Sequence, residues 1–109
     1  SAAAIGRDAQ AHELLDRVVQ QRPDLGDAYV LRGMLQLDAG EFAAFEAGLS
    51  PLPSEVQTLP GYWMNRGRAA HLQGDLRGAI RCYWETLRRQ PNHDRATYQI
   101  GQALAAIGE

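Results

Sequence analysis

The sequence predicts an all-α fold built from a repeated helical hairpin, on three observations. Glycines at 6, 40, 74 and 108 recur every 34 residues, and a second series at 33, 67 and 101 keeps the same period. The segments around them match in kind: "AYVLRGMLQLDAG", "YWMNRGRAAHLQG" and "ATYQIGQALAAIG" read as versions of one helix, and "AQAHELLDRVVQQRP" and "GAIRCYWETLRRQP" as versions of its companion. Pro23 and Pro91, two periods apart, close the two companions. A period of about 20–50 residues marks a stacked array of supersecondary units.

Each piece carries helical signals of its own. Ala11, Leu14, Leu15, Val18 and Val19 recur at three-and-four spacing and form one apolar stripe ahead of Pro23. The same stripe returns as Ala79, Ile80, Tyr83, Thr86 and Leu87, with Asp75 placed to cap its start and Pro91 to stop it. Gly40, Gly74 and Gly108 end the first helix of each pair, where a left-handed residue costs glycine least. Gly33, Gly67 and Gly101 fall inside helices. An interior glycine costs about 0.5–1 kcal/mol relative to alanine, and close approach of the paired helices is the expected compensation. The middle unit departs from the pattern: Phe45 stands where alanine is expected, and "SPLPSEVQTLP" brings three prolines. A short helix at 41–49 is expected there, then an irregular segment before a helix starting near Pro60.

Composition narrows the function classes. With 109 residues, 45% of them hydrophobic, the chain is long enough for a small continuous core, and 22% charged residues argue against wholesale disorder. No apolar run approaches the length of a membrane span, and "SAAAIGRDAQ" does not read as a signal peptide, which leaves the compartment open. The single cysteine, Cys82, excludes an internal disulfide. Residues 1–55 carry nine acids and four arginines, residues 56–109 four acids and seven arginines, so the net charge of −2 conceals a balance of −5 against +3. All basic residues are arginine, which with abundant alanine points to a GC-rich, bacterial genome.

Order, spacing and residue type together resemble the tetratricopeptide repeat (TPR) family. Trp63, Gly67, Gly74, Ala79, Tyr83 and Pro91 reproduce its sequence of large aromatic, small residue, turn glycine, alanine, aromatic and terminal proline. The resemblance covers about the whole chain: the end of one repeat to about residue 25, repeats at 26–59 and 60–93, and the first helix of a further or capping repeat at 94–109. It implies a single domain, an α-solenoid of about six helices forming a right-handed superhelix of antiparallel pairs, whose first helices line a concave groove. Carried onto this sequence, the groove positions are Asp27, Val30, Leu31, Met34 and Leu37, then Met64, Asn65, Arg68, His71 and Leu72, then Arg95, Tyr98, Gln99 and Gln102.

A floor of apolar, amide and arginine side chains suits a peptide held by backbone hydrogen bonds to Asn65 and Gln99, with an acidic group near Arg68 or Arg95. Some family members grip a C-terminal carboxylate with a basic-and-asparagine clamp. Asn65 and Arg95 occupy two clamp positions here, but Val30, Met34 and Gln99 replace the other members, so the clamp is not reproduced.

The expected function is therefore a scaffold or adaptor module that binds a peptide or partner protein. The alternative is a self-assembling element, since Leu104 and Ile107 leave an apolar stripe at the end of the chain. The chain opens in mid-repeat and closes one helix into another, which reads as a fragment of a longer protein. No enzyme, cofactor, metal or nucleic-acid role is expected. His12, His71, His93 and Cys82 show no ligand spacing, no phosphate-binding or nucleophile motif occurs, and a pI near 5.9 is unlike a nucleic-acid-binding domain. Glu13 with Arg17, and Arg81 with Glu85, read as surface pairs. Trp84 falls on a solvent-facing position beside Arg81 and Arg88, where it either contacts a partner or covers the 50–59 segment; Cys82 reads as a packing residue.

Overall fold

A computed structural model describes residues 2–22, 25–49 and 52–108. Pro23 and Pro51, and the side chains of Ala11 and His12, lie outside the described residues. Among those described, all regular structure is helical: α1 (Ala2–Gln21), α2 (Gly26–Asp38), α3 (Phe42–Leu49), a 3₁₀ turn (Ser54–Thr58), α4 (Pro60–Leu72), α5 (Leu76–Arg89) and α6 (Asp94–Ile107). The chain divides into two compact units, residues 1–56 and 57–109.

In the first unit α1 packs on α2 and α2 on α3. α1 runs unbroken through Gly6, so that member of the glycine series ends no helix; the alanine-rich residues on either side sustain the helix across it. Val19, Leu37 and Phe45 are buried. Phe45, standing where the other hairpin has Ala79, turns inward and fills its position with a ring. α3 stops after eight residues and gives way to the 3₁₀ turn, as the prolines require. Arg32 ties this unit together in a way the sequence did not announce. Its guanidinium stacks over Tyr29 at 5.5 Å and reaches Asp16 of α1 at 3.7 Å. One of its nitrogens also lies 3.6 Å from the space a Cβ on Gly48 of α3 would occupy.

The second unit is a three-helix layer with α5 packed on both α4 and α6. Pro60 occupies the first turn of α4, where its missing N–H is no loss. Gly74, at φ +83°, reverses the chain after α4 in the left-handed conformation that an L side chain resists. Asp75 then starts α5 by accepting a hydrogen bond from the Gly78 N–H at 3.0 Å. This is an N-cap, and Asp75→Ala is expected to cost about 1 kcal/mol (range roughly 0.5–2) in denaturant unfolding. α5 ends at Arg89, ahead of Pro91. α6 begins on a histidine: Nδ1 of His93 accepts from the Ala96 N–H at 3.1 Å, so that nitrogen carries no proton.

The core of this unit is Met64 from α4, Ala79 and Tyr83 from α5, and Ala96 and Ile100 from α6, with Ala70 and Leu87 at its edge. Gly67 explains its own presence. A Cβ there would lie 2.5 Å from Cε1 of Tyr83, so α4 and α5 approach as closely as they do because residue 67 has no side chain. Gly101 differs: among the described residues nothing lies within 4 Å of a Cβ built on it. Thr86, fully buried on α5, donates its hydroxyl to the Cys82 carbonyl at 3.2 Å one turn back, which satisfies it inside the helix.

Candidate functional site

The groove positions of the second unit come from α4 and α6, the two helices that flank α5. On α6, Arg95, Tyr98, Gln99 and Gln102 form one line at heptad-like spacing. Arg95, Tyr98 and Gln102 are exposed and Gln99 is half-buried, and the Tyr98 ring is 62% exposed. The residues between them, Ala96, Ile100 and Ala103, face the core. On α4, Arg68 and His71 are half-buried, Leu72 is exposed, and Asn65 is buried at 5% exposure.

Of these side chains, His71 meets the core phenol of Tyr83. Tyr83 is fully buried, and its hydroxyl sits 3.5 Å from Nδ1 of His71 with the two rings edge to face. Burial pushes the Tyr83 phenol above its ordinary pKa, while the positive charges of Arg68 and Arg95 act on it in the opposite direction. A buried hydroxyl therefore has an imidazole beside it, and one positive charge from each flanking helix acts on it. Guanidinium groups offer forked donors that match a carboxylate or phosphate, so this face is chemically suited to an anionic group.

Three expected groove residues, Met64, Asn65 and Leu37, are buried instead, so the Asn65 amide is not presented to a bound chain as expected. Met64 is buried against Ala79, Tyr83, Ala96 and Ile100, and its thioether fills the core between all three helices. In the first unit Leu37 is also buried, Val30 and Met34 are half-buried, and Asp27 and Leu31 are exposed on α2.

The opposite side of the second unit is rich in arginine and tryptophan. Trp63 donates its indole N–H to the Gln57 carbonyl at 2.7 Å and is flanked by the guanidiniums of Arg66 at 5.1 Å and Arg89 at 4.9 Å. It is thus Trp63 that holds the segment entering α4, while Trp84 remains 54% exposed. Glu85 pairs with Arg89 at 2.7 Å and Arg88 at 2.9 Å. The hydrogen bond from Arg89, then that from Arg88, holds its carboxyl below the ordinary value. A lowered folded-state pKa means that this contribution is present above the unfolded carboxyl value and is lost as pH falls through the folded one. Burial raises the Cys82 thiol, against the pull of Arg66 and Arg81, so it stays protonated at neutral pH and packs as a small apolar group.

No cluster of three or more histidine, cysteine, aspartate or glutamate side chains able to hold a metal ion occurs among the described residues. No helix among them is long and apolar enough to cross a membrane. Compared with known protein families and with curated proteins, the chain matches no family model and no curated sequence.

Proposed function

We propose that this chain is a TPR-like protein interaction module that binds a peptide or partner protein, in a scaffold or adaptor role, through the face formed by α4 and α6. The observation that carries this reading is the contact of His71 with the buried Tyr83 hydroxyl, on which the charges of Arg68 and Arg95 also act. The adjoining line of Tyr98, Gln99 and Gln102 offers an exposed ring and two amides to a bound chain. An extended segment with an acidic group seats that group between Arg68 and Arg95, and its backbone amides pair with Gln99 and Gln102.

A peptide array scanned with the intact protein and with Arg68→Glu tests this. The expected result is a set of acidic peptides bound by the parent, with binding lowered at least about tenfold in the variant, the loss of one charge-assisted contact, at unchanged circular dichroism. Equal binding by the two proteins contradicts the reading. Self-assembly through the end of α6 is the competing reading, favoured by Leu104 at 39% exposure. It expects Leu104→Glu to reduce the sedimenting mass and Arg68→Glu to leave it alone.

A further inference from the structure

α5 presents a second surface that the groove reading does not use. Arg77, Arg81, Trp84 and Arg88 are all exposed. Residues four, seven and eleven positions along a helix of about 3.6 residues per turn return to nearly one line, so the indole lies in a row of three guanidiniums. The row spans about 16 Å at about 1.5 Å per residue. Only Arg88 has a carboxylate partner in that row, Glu85; among the described residues Arg77 and Arg81 make no ion pair. The core of the unit lies on the far side of the helix, where Ala79, Tyr83 and Thr86 are fully buried, so this row takes no part in it.

A complementary surface exists on the same chain. The outward side of α3 is Ala43, Ala44, Glu46 and Ala47, all exposed, with exposed Glu41 just before the helix. Phe45 faces the other way and is buried. Three methyl groups make a flat apolar bed for an indole, and Glu41 and Glu46 offer carboxylates to the arginines beside it.

We propose that the Arg77–Arg81–Trp84–Arg88 row of one molecule docks on the alanine and glutamate face of α3 in a second copy of this chain. Charge chooses this occupant over a polyanion. A nucleic acid or an anionic membrane is negative throughout and meets the −5 of residues 1–55 as well as the +3 of residues 56–109, whereas a second copy carries both signs. A second copy brings residues 1–55 at −5 toward residues 56–109 at +3. The two surfaces are different, so the contact is heterologous, and after one contact one molecule keeps its α3 face free and the other its arginine row. One helix face against another buries less than the roughly 1,200 Å² at the lower limit of standard interfaces, so association is weak and builds only at high protein concentration. It is also salt-sensitive, because the screening length falls from about 10 Å at 0.1 M to about 3 Å at 1 M salt.

Sedimentation equilibrium of the intact chain from micromolar to millimolar concentration, in low and high salt, tests this. The parent is expected to show a mass that rises above the monomer with concentration in low salt and returns to the monomer in high salt. Trp84→Ala, Arg81→Glu and Glu46→Arg should each remain monomeric with unchanged circular dichroism. An equimolar mixture of the Arg81→Glu and Glu46→Arg proteins should associate again but stop at the dimer, since only one complementary pair of faces survives. A parent monomeric at every concentration overturns the proposal. So does association that survives all three substitutions, or that is abolished by Leu104→Glu alone.

Discussion

Tyr83→Ala should lower the unfolding free energy by about 3–5 kcal/mol, the range for removing a buried aromatic. Tyr83 is fully buried at the meeting point of α4, α5 and α6, touching the Gly67 backbone on one side and the Met64, Ala96 and Ile100 cluster on the other. Truncation leaves a ring-sized void that cannot collapse easily, because Gly67 has no side chain to move into it. Tyr83→Phe separates the ring from its hydroxyl. The contact with His71 is long at 3.5 Å, so this variant should lose much less, on the order of 1 kcal/mol. Urea unfolding of the three proteins, followed by circular dichroism at 222 nm, measures both steps. Equal losses would mean that the hydroxyl, and not the packing of the ring, holds the unit together.

The second large effect is a reversal of sign between two glycines of one repeat series. Gly67→Ala gains the helix propensity of alanine, worth about 1 kcal/mol, but places a methyl 2.5 Å from the Tyr83 ring. The ring is locked on all sides, so α4 and α5 must separate. Overpacking of this kind costs about 1–3 kcal/mol, and at so short a distance the upper end applies, giving a net loss. Gly101→Ala gains the same propensity and meets nothing within 4 Å, so it should stabilise by up to about 1 kcal/mol. Denaturant midpoints of the two variants against the parent should move in opposite directions. A shift in the same direction for both would remove the close approach of α4 and α5 as the reason for Gly67.

Those two glycines also mark how far the sequence could be read. Local signals were legible because they act over a few residues: the left-handed Gly74, the Asp75 cap, the short α3 and the prolines after it all depend on chain neighbours. Gly101 looked like Gly67 because periodicity assigns the same role to equivalent positions. Whether a helix packs closely there depends on what faces it, which the period does not carry. Met64 fails as a groove residue for a related reason. It sits on the border between the two faces of α4, and Ala96 and Ile100, more than thirty residues later, close over it.

The part played by Trp63 was equally hidden. Its indole partner is a backbone carbonyl of the 50–59 segment, whose path no side-chain pattern encodes. The candidate site was legible as a list of residues on two helices. That His71 meets the buried Tyr83 hydroxyl was not, because Tyr83 reads from sequence as a core aromatic and nothing more.

The central claim is that the face of α4 and α6 around Tyr83 receives a partner. The most direct measurement is a titration of the ¹⁵N-labelled chain with the strongest acidic peptide from the array, following amide shifts. The account predicts that the perturbed residues cluster at Arg68, His71, Arg95, Tyr98, Gln99 and Gln102. Shifts gathered instead around Arg81 and Trp84, or at Leu104 and Ile107, would contradict it and move the binding surface elsewhere on the molecule.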